Sequence, residues 1–117
     1  MISSKFSFDS KSLDGFFYQC SKGDENHENN LRKELTVELV SIQSKLHTDM
    51  EAGNWQSISY TVSRLKSIFH IIEQNSILNE LNKFPDVNVV ILNRLQKEEV
   101  VEKVIQLISH IIVKISK

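Results

Sequence analysis

Three glycines and one proline are the only strong breakers in 117 residues. Gly15 and Gly23 fall in the first fifth, Gly53 near the middle, and Pro85 alone later. These two residue types punctuate regular structure, so the chain is expected to make few turns and long helices. The apolar residues point the same way. Leu31, Leu35, Leu39, Ile42, Leu46 and Met50 recur at spacings of 4, 4, 3, 4 and 4, which is one face of a long helix. "EAGN" then closes it, with Gly53 as a left-handed C-cap. Asn54 reads as the N-cap of the next helix, whose inward face is Trp55, Ile58, Val62, Leu65, Phe69 and Ile72.

The rest of the chain extends this pattern. Residues 1–9 read as extended. Asp9 or Ser10 caps a short helix running to about Cys20, with Leu13, Phe16 and Phe17 on its apolar side. "SKGDENHENN", residues 21–30, reads as a polar loop. After a break at "EQNS", Ile77, Leu81 and Phe84 mark a further helix that Pro85 stops. Residues 87–115 are rich in Val and Ile. Their length and the spacing of Leu92, Leu95, Val100, Val104, Leu107, Ile111 and Ile115 nevertheless favour helix over strand. This last segment also has apolar residues on its other sides, Val101, Ile108 and Val113 among them. Either it is sandwiched centrally or one side meets another chain, which leaves a monomer or a weak homodimer open. The expected fold is all-α: an up-down four-helix bundle with a short N-terminal helix, in a single domain of residues 1–117.

Composition narrows the function classes. With 40% hydrophobic and 25% charged residues the chain reads as globular, not disordered. A net charge of −1 provides no basic excess for binding nucleic acid. Cys20 is the only cysteine, so neither an intrachain disulfide nor a multi-thiolate zinc site is available, and a reducing, cytoplasmic location is the default. "MISSKFSFDS" lacks the continuous apolar core of a signal peptide, so no leader is expected. The apolar tail "VIQLISHIIVKISK" is interrupted by Ser, His and Lys, and no membrane span is expected.

Catalytic signals are absent. His27, His47 and His110 lie far apart and none has a ligand partner at helical spacing, so no metal or other cofactor is expected. There is no phosphate-binding glycine loop and no serine–histidine–acid signature, and an enzyme is not expected. Cys20 is read as a small buried apolar residue, and Trp55 as a core anchor at its helix start. Asp49 and Glu51, in the last turn before Gly53, are read as solvated.

The distinctive stretch is "WQSISYTVSRLKSIFHII", residues 55–72. Ser59, Ser63 and Ser67 are spaced four apart on the side opposite the apolar positions, Lys66 sits among them, and His70 follows. Tyr60 borders this face and would flank a docked partner. Small hydroxyls allow a partner to approach the helix closely, and the lysine adds positive charge.

"DMEAGNWQSISYTVSRLKSIFHII" followed by "LNELNKF" resembles the central part of histidine-containing phosphotransfer (HPt) domains. Ala52, Gly53, Asn54 and Trp55 match the family's turn, and Val62 the small apolar residue before the phospho-acceptor. Leu65 and Lys66 match its Leu-Lys pair, and Ile77 and Phe84 the apolar positions of the following helix. "FDSKSL" and "GDENHENNLRKEL" resemble its opening, so the likeness spans roughly residues 8–84. The defining motif is broken: the acceptor histidine falls on Ser63 and a characteristic glycine on Ser67, while Lys66 is kept.

The resemblance implies a module of two-component signalling whose serine face meets a response-regulator receiver domain, free or within a hybrid sensor kinase. It implies docking residues Ser59, Tyr60, Ser63, Lys66, Ser67 and His70. Ser63 is not expected to relay phosphate. A hydroxyl without an adjacent base is a poor nucleophile, and a serine phosphoester lacks the transfer potential to pass the group back. Two rival readings stand beside this one. His70 acts as a displaced acceptor in a working relay, or the chain is a plain helical interaction or dimerisation protein.

Overall fold

The computed structural model describes Phe6 and residues 8–88 and 91–116. They form five helices and, among the described residues, no strand: α1 (Ser10–Ser21), α2 (Glu25–Ala52), α3 (Trp55–Ile71), α4 (Asn75–Leu81) and α5 (Arg94–Ile115). The chain is thus all-helical. The extended reading of residues 1–9 falls mostly outside the described residues.

Side-chain caps set the helix starts. Asp9 accepts from the Lys11 and Ser12 backbone N–H groups and opens α1. Asp24 does the same for Asn26 and His27, so α2 begins at Glu25. The polar loop expected over residues 21–30 is therefore corrected to Lys22, Gly23 and Asp24. "ENHENN" is polar because it is the exposed first turns of a helix, with Glu25 and Glu28 complementing the helix dipole. Asn93 opens α5 with a reciprocal capping box to Gln96. The helix expected over 87–115 accordingly starts at Arg94, and Leu95 is 77% exposed rather than part of the apolar stripe. Residues 89 and 90 of that expectation lie outside the described residues. Likewise α4 ends at Leu81, before Pro85 is reached.

The corner between α2 and α3 positions the serine face. Gly53 sits at φ 70°, its N–H donates to the Met50 carbonyl at 3.1 Å, and the Asn54 N–H donates to the Asp49 carbonyl at 2.8 Å. The Asn54 side chain then accepts from the Ser57 N–H at 3.3 Å, so one residue ends one helix and begins the next. Asp49 is buried here, in contrast to the solvated reading: its Oδ2 accepts from Ser57 Oγ at 2.6 Å and lies 3.3 Å from Lys45 Nζ. Arg94 reaches from α5 to donate to the Glu51 carbonyl at 3.3 Å, and its guanidinium lies 6.0 Å from the Trp55 ring centre. Trp55 is half-buried at the core edge, with Lys97 Nζ 5.4 Å from its ring centre.

At 28 residues, α2 spans about 42 Å and is the central element. It packs most extensively against α5, then against α3 and α1. Leu39, Ile42 and Leu46 from α2, Leu65 and Phe69 from α3, and Leu107 and Ile111 from α5 meet in one apolar cluster that also takes in Leu13 and Phe17. Of the inward faces read for α2 and α3, Leu31, Leu35, Trp55, Val62 and Ile72 are half-buried, and Leu39, Ile42, Leu46, Met50, Ile58, Leu65 and Phe69 are buried. Helix α5 buries Val101, Val104, Leu107, Ile108, Ile111 and Ile115, a stripe wide enough to face both α2 and α1, while Val113 stays 70% exposed. None of the described helices is long and apolar enough to cross a membrane.

Candidate functional site

The 17 residues of α3 divide sharply by side. Ile58, Thr61, Leu65 and Phe69 are buried. At roughly 100° per residue, Ser59, Ser63, Lys66, Ser67 and His70 occupy about 100° of arc on the other side, running about 16 Å along the axis. Ser63, Ser67 and His70 are exposed, and Ser59 and Lys66 are half-buried. Ser67 Oγ donates to the Ser63 carbonyl at 3.2 Å, so it is turned back onto its own helix. Tyr60 is 73% exposed on the flank toward α2, where Arg64 pairs with Glu38. All six residues named from the sequence thus share one side of α3. At its C-terminal end a shallow depression lies between Lys66, Ser67, His70, Ile71, Leu78 and Asn82, and Ile71 is 77% exposed.

One neighbour of this face is not anticipated by the sequence reading. The segment Phe84–Asn88 runs along the flank formed by Ser59 and Lys66. Val87, 3% exposed, plugs the space between α3 and α5. A cavity of about 60 Å³ remains beneath it, bordered by Val62, Ser63 and Lys66 on one side and Val100 and Val104 on the other. That is room for a water or two, well short of the roughly 300 Å³ that a small-molecule site begins at. Asp86 stands at the rim, lining the cavity together with Ser59 and Lys66. Its Oδ1 accepts from the Asn88 N–H at 2.9 Å, closing a local turn.

The Asn88 N–H first, then the Ser59 hydroxyl, hold the Asp86 carboxyl below its usual 3.8; burial opposes them, and the charge of Lys66 adds the least. A depressed folded-state value means that the stabilising contribution is complete above the ordinary value and is lost as pH falls through the folded one. In a carbon-detected NMR titration, Asp86 is expected to protonate below pH 3.8, and Asn88→Pro, which removes the donor, should raise that midpoint. An Asp86 midpoint at or above 3.8 in the parent would contradict the contact.

Elsewhere the chemistry is sparse. Among the described residues no three His, Cys, Asp or Glu side chains group as metal ligands. Cys20 is exposed, not buried as read from sequence: it shares the helical register of Leu13 and Phe17 but lies in the last turn of α1, where Ser21 takes the buried position. His47 faces Glu51 at 3.9 Å on the surface, and His110 packs edge-on against Phe6 at 5.3 Å. The face can therefore bind through shape, hydroxyls and the Lys66 charge, and it holds no nucleophile paired with a base. No family model, curated protein or solved structure matches the chain.

Proposed function

We propose that the chain is a degenerate HPt-like module of two-component signalling, an up-down bundle that binds a response-regulator receiver domain without carrying phosphate. The receiver stands alone or belongs to a hybrid sensor kinase. One observation carries the reading: at the middle of α3, where the resemblance puts the phospho-acceptor, there is an exposed Ser63 flanked by Ser67 and Lys66. Small side chains at Ser63 and Ser67 leave the helix backbone approachable. Lys66 supplies the positive charge suited to the carboxylate cluster of a receiver's phosphorylation site. Such a module sequesters a regulator or holds it for another protein.

The chemical half of the proposal is tested by incubation with radiolabelled phospho-receivers. No label is expected on this chain, because Ser63 has no base beside it. Label that appears and is lost in His70→Ala would replace the docking reading with a relay through His70, which is exposed on the same side of α3 two turns from Ser63.

A further inference from the structure

We propose that Arg64 is a further docking residue, held by Glu38 in the free chain, and that a carboxylate of the partner takes its guanidinium over from Glu38 on docking. This rests on the receiver-docking reading and adds a specificity-determining residue to it. Arg64 follows Ser63 directly and lies one turn from both Tyr60 and Ser67, and all four residues are exposed. A partner that covers Tyr60, Ser63 and Ser67 therefore covers Arg64 as well. Lys66, by contrast, is half-buried on the flank beside Phe84 and Val87, so Arg64 is the more open of the two side chains.

In the free chain Arg64 Nη2 donates to Glu38 Oε2, which ties the middle of α3 to α2. The pair is open enough to be exchanged. The two side chains keep 54% and 38% exposure, so solvent screens their attraction and the contact contributes little to stability. A guanidinium presents its donors as a planar fork, and a carboxylate that engages two of them is held better than one that engages a single N–H. Glu38 meets the fork through Nη2. The carboxylate cluster of a receiver's phosphorylation site can approach it from the open side. In the exchange Arg64 passes from one carboxylate to another and Glu38 returns to water. A neutral or basic surface offers no carboxylate in return, and covering the pair would only desolvate it. Arg64 thereby selects for acidic partners.

Glu38→Gln is the test, because the amide keeps the shape and removes the competing charge. The first readout is the rate at which Arg64 reacts with phenylglyoxal, scored by peptide mass spectrometry against Arg94 in the same molecule. It is expected to rise about two- to fivefold, the range that an exposed ion pair supports. The second is calorimetric affinity for purified receiver domains. It is expected to rise by a similar factor at low salt, with the gain shrinking as salt increases. Arg64→Ala should lower the affinity about tenfold, and in that background Glu38→Gln should add nothing. Unchanged Arg64 labelling overturns the proposal, since Glu38 then does not hold the guanidinium. Faster labelling with parental affinity in Glu38→Gln overturns it as well, and so does a gain that persists beside Arg64→Ala. Parental affinity in Arg64→Ala, with binding still weakened by Lys66→Glu, removes Arg64 from the face and leaves the docking reading standing. If no form of the protein binds any receiver, the docking reading itself fails and the role of Arg64 falls with it.

Discussion

Leu65→Ala is expected to destabilise the fold by about 2–5 kcal/mol, measured by urea unfolding, with a drop in the midpoint and little change in slope. Leu65 is fully buried at the centre of α3, one position before Lys66, and is part of the cluster shared with α2 and α5. Truncation removes its transfer free energy and leaves a void that the neighbouring side chains fill only in part. Ser63→Ala, two positions away on the open side, should shift stability by less than about 0.5 kcal/mol. A Leu65→Ala cost below about 1 kcal/mol would mean that α3 is rotated from its described setting, and the serine face with it.

Arg32→Ala is expected to cost about 2–4 kcal/mol. Arg32 is 9% exposed, an unusual position for a guanidinium. Its Nη2 lies 2.9 Å from Asp14 Oδ1 and 3.0 Å from Glu28 Oε2. Its Nη1 donates to the Ile115 carbonyl at 3.1 Å, and the group stands 4.6 Å from the Phe17 ring centre. One side chain therefore ties α1, α2 and the end of α5 together. Deleting it strips a buried carbonyl of its donor and two carboxylates of their counter-charge. Both acids keep some solvent access, which is why the expected loss sits at the lower part of the range for buried pairs. Arg32→Lys should recover only part of it, since an ammonium lacks the planar fork that serves three acceptors at once. Thermal unfolding of both variants checks this, and an Arg32→Ala midpoint within 2 °C of the parent would contradict the tie.

Both residues show how differently the parts of this molecule are written in its sequence. The spacing of Leu39, Ile42 and Leu46 and of Ile58, Leu65 and Phe69 is a local signal of period 3.6, so the helices and their buried sides are readable from the chain alone. Gly53 and Asn54 are legible for the same reason, because a cap depends on residues a few positions away. The start of α2 is less legible: "DENHENN" carries its N-cap at Asp24, but no apolar residue marks the first turns of a helix end exposed all round. Leu95 misled because its spacing from Leu92 is counted across the start of α5: in the register of the helix itself it falls on the side opposite Val101, Val104, Ile108 and Ile111. Arg32 and Asp86 depend on residues distant in sequence. Arg32 contacts Ile115, 83 positions on, and Asp86 comes to line the same small cavity as Ser59 and Lys66. The six docking residues share one side by period alone, whereas the acidic segment beside two of them is visible only once the chain is folded.

The central claim is that a receiver domain docks on the face of Ser59, Ser63, Lys66, Ser67 and His70. Isothermal calorimetry of the parent, Ser67→Trp and Lys66→Glu against purified receiver domains, at low and high salt, tests it most directly. Ser67→Trp puts bulk on an exposed position with no core to disturb, and should abolish binding at both salt concentrations while circular dichroism stays helical. Lys66→Glu turns an attraction into a repulsion, and its loss should shrink as salt screens the charges. Parental affinity in both variants would contradict the account.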